Sequence, residues 1–152
     1  MMDTQEQKIN TVLVHLFNDA LRLEEDTLRA EGVTLTIREV HILEAVCADA
    51  ENNTMSAIAG RLHITVGSLT VAMNTLERKG YILRQRSTQD KRCIHILPTE
   101  KAVQAERIHQ GYHSHMTHAI LATVPENQMD QVLSVLDATW RFFTDAIKEE
   151  NV

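Results

Sequence analysis

The residues best suited to a chemical role are small and polar side chains that recur at helical spacing between positions 66 and 78. An Asn side chain can pair with the edge of adenine, and the methyl group of Thr or Val can rest against that of thymine. Small residues near the start of a helix let its free backbone N–H groups approach a phosphate. A merely solvated face would carry Glu and Lys, but this one has no acidic residue before Glu77. The pattern predicts DNA contacts from Gly67, Ser68, Thr70, Val71, Asn74 and Arg78.

Two short helices must position that stripe. Apolar residues at i, i+3, i+4 and i+7 from Met55 to Leu62 predict a first helix that faces a core. After a tight turn, Thr65 is suited to cap the second helix and Gly80 to follow its end. The inward stripe of this second helix is predicted to be Val66, Leu69, Met73 and Leu76. The arrangement is typical of a helix-turn-helix that places its second helix in the major groove.

A hairpin rich in cations follows. Alternation over residues 81–87 and 92–97 predicts two strands joined by a turn at 88–91. Asp90 precedes Arg92 by two residues and can orient its guanidinium towards a minor groove. The alternative for this pair is a surface ion pair that contributes less than about 1 kcal/mol. The wing is predicted to contact DNA through Arg84, Arg86, Asp90, Lys91 and Arg92.

The charge of the chain is concentrated in this module. Residues 61–92 hold seven cationic side chains against two acids, a net charge of +5, whereas the 152-residue chain carries −6. An acidic protein with one basic segment is suited to present that segment to a polyanion.

Long amphipathic helices flank the module. An apolar stripe over residues 9–23 predicts a first helix that ends at Gly32, and Thr36 begins the next with a capping box. Thr99 is expected to cap a third long helix and Pro125 to open the last.

The expected fold is mainly α with a small β-hairpin wing, in one discontinuous single-domain protomer. Residues 1–32 and 100–152 are assigned to dimerisation helices and residues 33–99 to the winged helix-turn-helix module. The apolar faces of the flanking helices are too wide for the module to cover, which favours a homodimer. A monomeric bundle in which these helices bury one another is the alternative.

The run from Thr54 to Thr99 resembles the winged helix-turn-helix of the multiple antibiotic resistance regulator (MarR) family, known for dimeric repressors. The resemblance rests on Ile58-Ala59-x-x-Leu62, Leu76-Glu77-Arg78-Lys79-Gly80-Tyr81-Ile82, Asp90-x-Arg92 and Thr99-Glu100-Lys101. It implies that Arg92 enters the minor groove and that Thr70, Val71 and Asn74 read the major groove. Pro98 and Ala102 depart from the usual leucine and glycine, which puts in question only the hinge into the next helix.

A closer resemblance links the chain to the branch that represses fatty-acid synthesis genes in Gram-positive bacteria. It rests on Leu23-Glu24-Glu25, Ile37-x-Glu39-x-His41, Ile64-Thr65-Val66-Gly67-x-Leu69-Thr70 and Arg107-Ile108-His109-x-x-x-His113, together with the Leu76–Ile82 run. It implies co-repression by long acyl chains delivered on acyl carrier protein. A matching aliphatic pocket for an acyl or fatty-acid effector is predicted from Phe17, Leu21, Leu28, Ile42, Val46, Ile108, Tyr112 and Met116, which could alternatively pack as core.

Histidines four residues apart on one helix can share a metal, so a zinc-responsive regulator is the alternative. Its ligands would be His41, His109 and His113. No cofactor and no enzymatic activity are expected, because the chain lacks a nucleophile elbow and a phosphate loop. We expect strand alternation to keep Cys93 and His95 apart.

The remaining features bear on location and partners. No signal peptide or membrane span is evident, and both cysteines fit free thiols in a reducing cytosol, so the protein is expected to be cytoplasmic. A winged helix repurposed for protein–protein contact is a further alternative to double-stranded DNA as the partner.

Overall fold

The computed structural model describes residues 2–49, 53–87 and 93–150, with side chains described up to residue 146. In these ranges the chain is mainly helical with one antiparallel hairpin, which confirms the predicted fold class. The helices and strands are α1 (Thr4–Ala30), α2 (Ile37–Cys47), α3 (Met55–Arg61), α4 (Val66–Arg78), β1 (Ile82–Arg86), β2 (Ile94–Pro98), α5 (Glu100–Leu121) and α6 (Met129–Glu150).

Local sequence signals set the helix ends. The Thr36 hydroxyl accepts a hydrogen bond from the Glu39 N–H, and the Glu39 carboxylate accepts one from the Thr36 N–H at 2.8 Å, so the predicted capping box is present. Thr65 caps α4 by accepting from the Ser68 N–H at 3.1 Å. Gly80 follows the end of α4 with φ +78°, a left-handed conformation that glycine adopts without strain.

One prediction about the last helix is wrong in detail. Pro125 precedes a single 3₁₀ turn at Glu126–Gln128, and α6 begins only at Met129. Proline fixes its own φ but does not choose between the two helix types, and a 3₁₀ turn commonly begins an α-helix.

The hydrophobic core lies in the first of two compact units, residues 1–112 and 113–152. The apolar stripe of α3 supplies Ile58 and Ala59, and that of α4 supplies Leu69, Met73 and Leu76, all buried as predicted. Val66 was predicted to face inward but is 43% exposed, because it is the first residue of α4 and lies beyond the edge of the core. Ile82 and Ile96 complete the core from the hairpin.

Two helices keep broad apolar faces exposed. On α1, Ile9, Val12 and Leu16 are all more than half exposed. On α6, Leu133, Leu136 and Trp140 are likewise more than half exposed. No helix in the described part of the chain has the length and apolar character that a membrane span requires.

Candidate nucleic-acid interface

The outward face of α4 presents the predicted reading stripe. Gly67, Thr70, Val71, Asn74 and Arg78 are all solvent-exposed. Val71 is 70% exposed, an unusual position for an apolar side chain on a helix that also supplies three buried core residues. The Thr70 hydroxyl donates to the Val66 carbonyl at 2.7 Å, so it offers DNA an acceptor oxygen and a methyl group.

The start of α4 leaves open space. A Cβ added at Gly67 would meet only the Thr65 hydroxyl oxygen, at 3.8 Å, an ordinary van der Waals contact. The fold therefore does not require glycine here, whereas close approach of a phosphate to the helix N-terminus would. Ahead of this terminus, His63 turns the chain with φ 52°, in the left-handed region.

The Lys79–Tyr81 run fixes α4 to the elements around it. The Lys79 ammonium binds the Glu39 carboxylate at 2.8 Å and the Thr34 carbonyl at 3.1 Å. Burial by itself would raise the pKa of Glu39, but its hydrogen bonds to Lys79 and Thr36 and the charge of Lys79 lower the pKa overall. The α4 C-terminus is thereby tied to the α2 N-terminus.

The start of α5 makes a second tie to the same run. The Thr99 hydroxyl donates to the carbonyls of Gly80 and Tyr81, at 2.9 and 3.1 Å. The Lys101 ammonium binds the Lys79 carbonyl at 2.9 Å and lies 4.2 Å from the centre of the Tyr81 ring. The Lys79-Gly80-Tyr81 and Thr99-x-Lys101 segments therefore act together, because their contacts hold the end of α4 against the start of α5.

An unpredicted network links the first wing strand to the reading face. The Arg84 guanidinium donates through Nη2 to the Asn74 side-chain oxygen at 2.8 Å, and through Nη1 it forms an ion pair with Glu77. Arg84 is on β1, and Asn74 and Glu77 lie one turn apart on α4. Sequence reasoning placed Arg84 among the DNA contacts without foreseeing these partners.

The chain is similar to known proteins both in sequence and in fold. Residues 35–94 match the MarR family model. The structure of Streptococcus pneumoniae FabT in complex with DNA is 33% identical, has a TM-score of 0.82, and is aligned over 92% of this chain and 98% of that one. The Escherichia coli transcriptional repressor MprA is 25% identical over 84% of this chain and 74% of its own length. A Staphylococcus aureus MepR–DNA complex shares the fold at 20% identity, with a TM-score of 0.68 over 86% of this chain and 96% of that one.

The chain belongs to the MarR family. The predicted resemblance is thus confirmed, and with it the winged-helix fold. The relatives named above are a transcriptional repressor and two proteins in complex with DNA.

Several cations of the basic segment, residues 61–92 of this MarR-family protein, bind other groups of the protein. They are therefore less available to DNA than the net charge of the segment implies. Arg61 lies 3.5 Å from Asp49 and donates to the Ala45 carbonyl, so it stabilises the turn after α2. Lys79 and Arg84 are paired with Glu39 and Glu77. Counting charges along the sequence could not show this, since two of the acidic partners lie outside residues 61–92.

Two cations in the described part of the segment remain exposed. Arg78 and Arg86 are solvent-exposed and have no acidic partner among the described residues. Asp90, Lys91 and Arg92 lie outside the described residues, so their DNA-contact roles remain predictions from the sequence.

Five of the eight predicted effector residues belong to the core of the first unit, pack against it or line a cavity next to it. Leu28 and Val46 are fully buried in the core, and Ile108 packs against it. Leu21 and Ile42, the latter also part of the core, line a cavity of about 280 Å³ with Ile37, Arg38, His41, Leu62 and Ile64.

The other three predicted effector residues lie outside that cavity lining. Phe17 is 46% exposed on α1. The Tyr112 hydroxyl donates to the Ala20 carbonyl at 2.7 Å. Met116 lies on α5 in the second unit.

A buried carboxylate brings two of the candidate metal ligands together. Glu24 Oε1 lies 2.8 Å from His109 Nε2 and 3.5 Å from His41 Nε2. The other His109 nitrogen lies 3.5 Å from Glu106, whose pKa is raised chiefly by burial. Sequence reasoning missed Glu24, which is only 3% exposed although neighbouring Glu25 is on the solvated side of α1.

His113 follows His109 by one turn of α5. The described groups around Glu24 have the chemistry of a His₂Glu zinc site, but 2.8 Å is a hydrogen-bond distance.

The cysteines differ in their surroundings. Burial, aided by the charge of Glu106, raises the pKa of Cys47 to about 11, which suppresses thiolate chemistry there. The expectation that Cys93 and His95 point apart is wrong, because Cys93 Sγ lies 3.7 Å from His95 Nε2. Residues i and i+2 of an extended chain share a face.

Proposed function

We propose that this protein is a homodimeric transcriptional repressor that reads a pseudo-palindromic operator with α4 and the wing. The observation that carries the proposal is the outward face of α4. It exposes an amide NH₂ group, an acceptor hydroxyl, methyl groups and one cation, with free space at Gly67. These are groups that base edges and phosphates recognise.

The apolar faces of α1 and α6 support the homodimer. In a monomer, Ile9, Leu16, Leu136 and Trp140 would expose apolar surface to water. Association of two copies through these faces would remove that surface from water. Two copies of α4 related by a two-fold axis would read successive major grooves, about 34 Å apart, and this symmetry favours a pseudo-palindromic operator.

We further propose that long acyl chains, delivered on acyl carrier protein or free as fatty acids, act as co-repressor and that the regulated genes serve fatty-acid synthesis. Support comes from the similarity to FabT and from the cavity beside α2. Its lining is mostly aliphatic, and Arg38 and His41 add polar groups that suit an anionic head. A ligand that binds the DNA-competent state better raises operator affinity by that difference.

Fluorescence anisotropy on an operator duplex selected by the protein tests both the proposed DNA binding and the proposed acyl-chain effector. Long-chain acyl carrier protein should raise operator affinity, while the same carrier without an acyl chain should not. Equal affinity with and without the acyl chain would contradict the effector proposal and leave DNA binding untouched.

Zinc is the second candidate effector, favoured by the contact of Glu24 with both His41 and His109. In this case micromolar zinc would tighten operator binding, and His109→Ala would abolish the response. An operator affinity indifferent to zinc in the wild-type protein would exclude this candidate.

A further inference from the structure

We propose that Arg84 is a positioning residue for DNA recognition that makes Asn74 a hydrogen-bond donor. Arg84 engages the side-chain oxygen of Asn74 and leaves its NH₂ group for the groove. The inference rests on the proposed function, since it concerns how the α4 face reads DNA.

The orientation of the Asn74 amide follows from the chemistry of its partner. A guanidinium has only donors, so the atom that faces Arg84 Nη2 at 2.8 Å must be the amide oxygen. The opposite orientation would bring N–H groups against N–H groups. The NH₂ group is therefore directed away from Arg84.

Glu77 holds the guanidinium in place. It follows Asn74 by three residues on α4 and pairs with Nη1, while Nη2 remains on Asn74. The planar fork thus spans two residues on adjacent turns of one helix, a geometry that the single ammonium of lysine does not reproduce. While it makes both contacts, Arg84 is a brace for the reading face rather than a phosphate contact.

The contact with Arg84 changes the base that Asn74 is expected to recognise. Bidentate pairing with adenine uses the Asn oxygen as well as its NH₂ group. Arg84 occupies one lone pair of the Asn74 oxygen and fixes the amide orientation, so the NH₂ group carries the recognition of an acceptor. Purine N7 is the acceptor that adenine and guanine share. We therefore expect Asn74 to read a purine rather than adenine alone.

Atomic substitution in the operator tests this inference. Each purine of a selected half-site is replaced in turn by its 7-deaza analogue, which lacks the N7 acceptor. At one purine, this replacement should weaken operator binding by the wild-type protein about threefold to tenfold, as loss of a neutral hydrogen bond does. The same replacement should not weaken operator binding by the Asn74→Ala variant any further. At the same position, adenine and guanine should bind within about threefold of each other, since both retain N7.

Two variants then isolate Arg84. Arg84→Lys keeps the charge but loses the fork, so the penalty at that purine should fall below about twofold while the salt dependence of binding is unchanged. Glu77→Gln leaves Arg84 intact but removes its ionic partner, and should reduce the same penalty in part. Gln85→Ala is the matched control and should keep the wild-type profile, because Gln85 is exposed at the next position of β1 and adjacent strand residues point to opposite faces. Circular dichroism melts verify that each variant folds.

Three results would overturn the inference. The first is that the 7-deaza replacement weakens binding by Arg84→Lys as much as it weakens binding by the wild-type protein. The second is that no 7-deaza replacement distinguishes the wild-type protein from Asn74→Ala. The third is that Arg84→Ala weakens binding equally for all operator sequences and lowers the slope of log affinity against log salt concentration by about one. That result would make Arg84 a phosphate contact. A wild-type protein that selects no duplex would defeat the proposed function itself, and this inference with it.

Discussion

The homodimer predicts a large effect of one substitution, Trp140→Ala. Trp140 is the only tryptophan of the chain and is 64% exposed on α6. A tryptophan buries about 150–250 Å², so about 100–160 Å² remains to be covered in a dimer. At about 25 cal/mol per Å² this contributes about 2–4 kcal/mol for each protomer, or about 4–8 kcal/mol for a symmetric pair. The dimer Kd should therefore rise by at least about a thousandfold.

Sedimentation equilibrium over a dilution series measures that Kd, and the emission of the single tryptophan gives a second readout. The wild-type emission should shift to longer wavelength on dilution as Trp140 becomes solvated. Val71→Ala is the matched control, because Val71 is 70% exposed on α4 and lies outside both apolar faces. An unchanged dimer Kd in Trp140→Ala, or solvent-like emission from a concentrated wild-type dimer, would refute the assignment of α6 to the interface.

Three further predictions concern single residues. Gly67→Ala should raise the free energy of unfolding by up to about 1 kcal/mol in urea titrations, because alanine favours the helix and meets no clash, yet weaken operator binding. Asn74→Ala should cost about 1–3 kcal/mol in operator affinity, and Arg92→Ala should remove any preference for a narrow minor groove; unchanged anisotropy titrations in both would contradict the reading roles. Because the pKa of Cys47 is about 11, Cys93→Ser should be alkylated slowly at pH 8, with about one thiol in a thousand ionised, and about tenfold faster for each pH unit up to 10; rapid alkylation at pH 8 would contradict the buried site.

Local features of the fold were predictable from the sequence. The caps at Thr36 and Thr65 and the left-handed Gly80 depend on residues within four positions of each other. The buried stripe of α4 follows from its period, except at Val66, where the core ends before the helix does.

Contacts between distant elements were not predictable in the same way. The Arg84–Asn74 bond depends on where β1 passes α4, and no spacing along the chain specifies this. Glu24 precedes another glutamate on a long amphipathic helix and is indistinguishable there from a solvated residue. Its burial becomes evident only when α2 and α5 bring His41 and His109 against it.

Selection from a random duplex library with the purified protein is the most direct measure of whether α4 reads a specific DNA sequence. We expect enrichment of one pseudo-palindrome with half-sites about one helical turn apart, and binding to it that weakens steeply with salt. The same selection with Asn74→Ala should relax the preference at one position in each half-site. Recovery of no common sequence by the wild-type protein, with only weak and uniform binding at every salt concentration, would show that α4 does not read a specific sequence.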